Sequence, residues 1–160
     1  MKTITCFFLL LCISFIPVWA QSVDAAYAAA EGAIEAKCFV IIPDSYTALS
    51  GGVENLSDPY QFLLCENNLV YLQGSVTGAG SFTHRTEISS YSVKTSKNSV
   101  SVRMQVKGTA IVARIDISVR KGSNYADVIV TPTKGAAARS FSGPLVLPSQ
   151  GQYMKRAGEV

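Results

Sequence analysis

The chain has 160 residues, 48% hydrophobic and 16% charged, with 14 lysines and arginines against 11 aspartates and glutamates. That length suits a single domain, and the aliphatic content excludes a disordered, charge-rich chain. A net charge of +3 without any Lys/Arg block excludes a dedicated nucleic-acid binder.

Residues 1–20 read as a secretory signal peptide. Lys2 supplies the positive start, residues 4–17 the apolar stretch, and Val18-Trp19-Ala20 the small-residue pattern for a cut after Ala20. The apolar stretch is about fourteen residues, short of the roughly 20 that a spanning helix needs. No transmembrane segment is therefore expected after signal removal, and the location expected is periplasmic or secreted. Cys12 follows leucines rather than a small residue, which argues against lipidation.

Cleavage would leave Cys38 and Cys65 as the only cysteines. An even pair in an exported chain is a disulfide candidate. The bridge would close a loop of about 27 residues, worth roughly 3–4 kcal/mol in the chain-entropy model. The alternative is two separate buried thiols, since each lies in an apolar run. The bridge is the favoured expectation.

The remaining chain reads as one domain over residues 21–148, one helix followed by strands. Residues 22–37 are alanine-rich, with Asp24 as N-cap and Tyr27, Ala30, Ala33 and Ile34 near one face. Gly32 weakens that helix by about 1 kcal/mol relative to alanine. It is expected to cap one end of a sheet or barrel.

Residues 38–42 form a β-branched run stopped by Pro43. Residues 60–65 and 69–73 are apolar runs joined by Glu66-Asn67-Asn68, the pattern of a hairpin. Residues 74–80 hold three glycines and read as a flexible loop. Residues 86–95 suit a strand. Val100, Val102, Met104 and Val106 then alternate with polar residues, and Ile111, Ala113, Ile115, Ile117 and Val119 alternate with Val112, Arg114, Asp116, Ser118 and Arg120. Period-two alternation means one wet and one dry face. Residues 125–131 and 136–141 continue the meander. Tight turns without helical crossovers exclude a parallel sheet. The fold class is mainly β: an antiparallel meander of about eight strands forming a curled sheet or lipocalin-like barrel, with a short N-terminal helix. Residues 149–160 are expected to be a flexible tail.

Motifs for chemistry are scarce. His84 is the only histidine, so any Ser-His-Asp triad must use it. Glu87, three residues on, points to the opposite face of a strand. No G-x-S-x-G elbow or phosphate-binding loop is present. Asp116 and Asp127 should lie on neighbouring strands, but Asp116 with Arg114 and Arg120 reads as a surface charge ladder. Two cysteines and one histidine are too few for a four-ligand zinc site. No catalytic residue, metal or cofactor is therefore expected. The aromatics are spread over nearly every strand and read mostly as core.

Three stretches resemble a family of exported proteins of Bacteroides-like bacteria known only as a domain of unknown function: Phe39-Val40, then Leu69-Val70-Tyr71-Leu72-Gln73-Gly74, then Arg139-Ser140-Phe141-Ser142-Gly143. The resemblance spans roughly residues 34–146. It departs at the middle stretch, where residues 72–76 replace the family's aromatic and basic positions. It implies export and a β-rich fold, and no known activity.

The functional expectation is a non-enzymatic binding module, with a small apolar ligand inside the curled sheet or an envelope protein at its rim. The alternative is an inhibitor or immunity-type protein that blocks an enzyme with a loop, either residues 74–82 or residues 51–59.

Overall fold

The computed structural model describes residues 18–159, with side chains from Asp24 onward. The expected leader over residues 1–20 lies almost wholly outside the described residues.

Helix α1, Val18–Glu35, begins upstream of the expected N-cap, so Asp24 sits inside it. Nothing between Val18 and Ala30 breaks a helix, and alanine favours one most. Ala30, Ala33 and Ile34 form its buried stripe. The helix stops at Lys37, whose φ of 51° is left-handed. Cys38 N–H donates to the Ala33 carbonyl at 2.9 Å and Lys37 N–H to that of Ile34 at 3.1 Å, the paired bonds of a Schellman end. The Tyr91 hydroxyl donates to the same Ile34 carbonyl at 2.7 Å, pinning the helix to the barrel.

Ten strands follow: β1 Phe39–Ile41, β2 Ser45–Thr47, β3 Val53–Asn55, β4 Phe62–Glu66, β5 Leu69–Gly74, β6 Gly80–Thr95, β7 Ser99–Gly108, β8 Val112–Arg120, β9 Tyr125–Pro132 and β10 Arg139–Val146. All pairings between them are antiparallel. Strand β1 pairs β4 on one side and β10 on the other, which closes β1 and β4 to β10 into an eight-stranded barrel. The β4–β5 turn is Asn67-Asn68, both at positive φ, the two-residue turn that matches strand twist.

The β2–β3 hairpin, not foreseen from the sequence, is an outlying flap on β10. Strand β10 pairs β2 through Phe141 and Ser142, and β1 through Leu145 and Val146. Gly143 lies at the changeover. A Cβ there would stand 2.0 Å from the Ile42 carbonyl oxygen, so only glycine lets the chain cross.

The interior is packed. Val100, Val102, Met104 and Val106 face Ala113, Ile115, Ile117 and Val119, and Phe39, Leu63, Leu72 and Phe141 fill the other side. Ile34 enters from the helix and is fully buried. The barrel holds a core rather than a lumen.

Two expectations fail here. Cys38 and Cys65 are free thiols. Phe39 pairs directly with Cys65, so both point inward. Cys38 lies one residue before the strand, half-buried at the end of the helix turn, while Cys65 is buried in the interior core. Cys65 Sγ instead lies 3.5 Å from the Lys37 carbonyl, and burial above all pushes its thiol up to about 12.

Residues 149–159, expected to fray, dock on the outside of the barrel. Val40, Phe62 and Leu64 point outward from β1 and β4 yet are buried, covered by Tyr71, Val146 and Tyr153. The Tyr153 ring sits 4.9 Å from that of Phe62. Gln73 ties the segment down. Its Nε2 donates to the Tyr60 and Met154 carbonyls at 2.8 Å each, and its Oε1 accepts from Arg156 N at 2.8 Å and from the Thr83 hydroxyl.

Replacing Gln73 by Ala leaves buried partners unpaired and should cost about 2–3 kcal/mol in urea unfolding. Gly32 has open space around its Cβ position, so Gly32→Ala should stabilise by about 1 kcal/mol in the same assay. For the thiols, intact mass without reductant should show both hydrogens retained. A native-state alkylating reagent should modify Cys38 well before Cys65.

Candidate binding site

The two ends of the barrel differ. Helix α1 seals the end bearing the β4–β5, β6–β7 and β8–β9 turns. The other end carries a 3₁₀ turn, Ser75–Thr77, within the loop expected to be flexible. That loop is folded in. Val76 and Thr77 are buried, the Thr77 hydroxyl donates to the Gly74 carbonyl at 2.9 Å, and Val76 N–H donates to Gln61 Oε1 at 3.3 Å. Gly74 has φ 100°, and a Cβ there would overlap Gln61. Gln61 in turn donates to Asp58 at 3.0 Å; this bond, with one from Tyr60 N–H, holds the Asp58 carboxyl below its usual range.

Two concavities flank this turn. One, of about 370 Å³, lies between Thr77-Gly78 and the neighbouring turns and is walled by Ile111, Val112, Pro132 and Lys134. The other, of about 250 Å³, lies between Val76, Tyr46, Leu49 and Arg139. Large apolar side chains stand exposed at this rim: Leu49 is 75% exposed, Phe82 57% and Val112 45%. Apolar residues grouped on one end mark an interaction surface more often than chance exposure does.

His84 belongs to the inward row, opposite Leu72, and its Nε2 lies 2.8 Å from the Ala79 carbonyl. Glu87 pairs with Lys107 on the outer row, so the two do not meet.

On the outer wall Arg103 Nε donates to Asp116 Oδ1 at 2.6 Å and Arg114 Nε to Oδ2 at 2.9 Å. The charge ladder exists, but its second arginine is Arg103 from β7. Arg120 instead lies 4.0 Å from Asp127. Asp127 accepts from the Ser142 hydroxyl at 2.8 Å. Burial opposes the charge on Asp116, but the two arginine hydrogen bonds and charges outweigh it and hold the carboxyl below the usual range.

Sequence reading did not single out the rim clefts. The sequence pattern puts Ile111 and residues 136–138 in strands, whereas they precede β8 and β10 in turns at the rim.

The profile described as "Domain of unknown function (DUF4251)" matches residues 21–145. The chain belongs to the DUF4251 family. A crystal structure of a DUF4251 family protein from Bacteroides eggerthii DSM 20697 superposes with a TM-score of 0.71 at 21% identity, covering 82% of this chain and 93% of that one. That likeness establishes the shared fold. No curated protein matches. The stretches that carry the DUF4251 resemblance lie on three strands: Phe39-Val40 in the closing strand β1, residues 69–74 as β5, and residues 139–143 at the start of β10 up to the Gly143 crossing.

A carboxyl depressed in the folded state stabilises above the ordinary aspartate range, and that contribution is lost as pH falls through its depressed value. The stability gap between the wild type and Asp116→Asn should therefore be widest near neutral pH and close as pH falls below the ordinary aspartate range in acid-titrated urea melts. A gap that ignores pH would contradict this account of the carboxylate.

Proposed function

We propose that this DUF4251 domain is an exported, non-enzymatic binding module that receives an apolar group at the rim of its barrel, offered by a small ligand or by a partner protein of the envelope. The observation that carries the reading is the cleft beside the 3₁₀ turn. It is lined by Ile111, Val112 and Pro132, and it sits on a barrel whose interior is already filled by its own side chains. A ligand enclosed in the barrel would have to displace that core, so the sequence-based picture of a ligand within the sheet gives way to one at its mouth. At about 370 Å³ the cleft has the size of a small-molecule site. Lys134 on its lip adds one cation. The engagement of Asp116 by two arginines supports a role without catalysis.

A second reading keeps the inhibitor idea in one form. Residues 74–82 suit it poorly, because Val76 and Thr77 are buried. The β2–β3 flap suits it better, with Leu49 and Val53 exposed by 75% and 76%.

Titration with decanoate, followed by amide NMR, separates these readings. Saturable shifts should centre on Ile111, Val112 and Thr133, and Val112→Asp should weaken binding about tenfold while leaving the fold intact. Absence of saturable shifts at the rim, together with envelope-protein capture that Val112→Asp does not change and Leu49→Asp abolishes, would overturn the rim reading in favour of the flap.

A further inference from the structure

The outer wall carries a second concavity, independent of the rim. Alternation along β7, β8 and β9 sends Ser101, Arg103, Arg114, Asp116, Ser118 and Asp127 outward. The register aligns them. Ser92, Arg103, Asp116 and Ile129 stand in one cross-strand row, and Lys94, Ser101, Ser118 and Asp127 in the next. Short serines between long cations leave a trough of about 600 Å³.

Asp116 organises it. One carboxylate accepts Nε from both Arg103 and Arg114, one oxygen each. Among the described residues, no other hydrogen bond engages either guanidinium. A carboxylate that took each fork bidentately would consume it. Here the Nη groups of both arginines remain available, and the two side chains are 69% and 50% exposed. Two like charges held side by side by a shared counter-ion form a clamp for a second anion. Lys94 adds a third cation at the trough. Ser101 and Ser118 offer hydroxyls that can donate or accept, and Asp127 offers an acceptor at the far edge. Donors and acceptors beside a cationic clamp match a hydroxyl-rich molecule bearing one anionic ester.

We propose that this trough binds a phosphate or sulfate ester of a sugar, with Arg103 and Arg114 clamping the oxyanion, Ser101 and Ser118 meeting the sugar hydroxyls, and Asp116 acting as the positioning residue that holds the two guanidiniums.

Amide NMR titration at constant ionic strength tests this with glucose 6-phosphate, glucose 6-sulfate, inorganic phosphate and glucose as probes. The two esters should give saturable shifts confined to residues 101–103, 114–118 and 127–129, and their relative affinities identify the preferred ester. Inorganic phosphate should bind more weakly, and glucose should leave the spectrum unchanged. Arg103→Gln with Arg114→Gln should weaken ester binding about tenfold or more. Removing the same charge at Lys97 and Lys121, in the turns at the helix end, should leave it unaltered. Asp116→Asn is the decisive variant. It makes the trough more positive, yet it should weaken ester binding because the guanidiniums lose their common anchor. Tighter ester binding by Asp116→Asn, inorganic phosphate matching the esters, or no saturable shift with either ester would overturn the proposal.

Discussion

The structure hangs on β1, a strand three residues long that is enclosed on every side. Its edges pair with β4 and β10, so it closes the barrel. Phe39 and Ile41 face the interior core and Val40 faces an outer one. Closure removes the open sheet edges that a curled meander would expose. It also forces the chain to leave β1 across the face of β10, which Gly143 alone allows. Of the stretches that carry the family resemblance, Phe39-Val40 lies on this seam.

A filled interior determines where binding can occur. In barrels of this strand number, side chains either fill the inside or leave room for one small ligand. Here Phe39, Leu63, Met104, Ile115 and Phe141 occupy it, and Ile34 seals it from the helix end. The concavities that remain are at the rim, where turns carry apolar residues, and on the outer wall, where the pleat delivers a charged row. The two regions differ in character. The rim offers apolar walls, and the wall offers guanidinium and hydroxyl groups at fixed register.

Much of this architecture was legible in the residues. The zigzag of residues 100–106 and 113–119 specified strands with one dry face, and the short turns specified an antiparallel meander. The run Phe39-Val40-Ile41-Ile42 and the run Phe62-Leu63-Leu64-Cys65 do not alternate, which is the signature of strands buried on both faces. That signal demanded a cover over the outer face, and the cover is the segment around Tyr153. Its sequence, rich in glycine and glutamine, gave no local hint of docking, because Gln73 and Phe62 far upstream hold it. The cysteine pairing was illegible for a related reason. Spacing along the chain says nothing of where each sulfur lies until the Phe39–Cys65 register is known. The same dependence on register replaced Arg120 by Arg103 beside Asp116. The rim clefts depend on three turns meeting in space, which no periodicity encodes.

Backbone NOE spectroscopy across β1 distinguishes a closed barrel with a solid core from an open sheet. The closed barrel gives cross-strand contacts from Val40 to both Leu64 and Val146, with Ile34 methyl contacts into the interior. Contacts from Val40 to Leu64 without any to Val146 would describe an open sheet, and would contradict it.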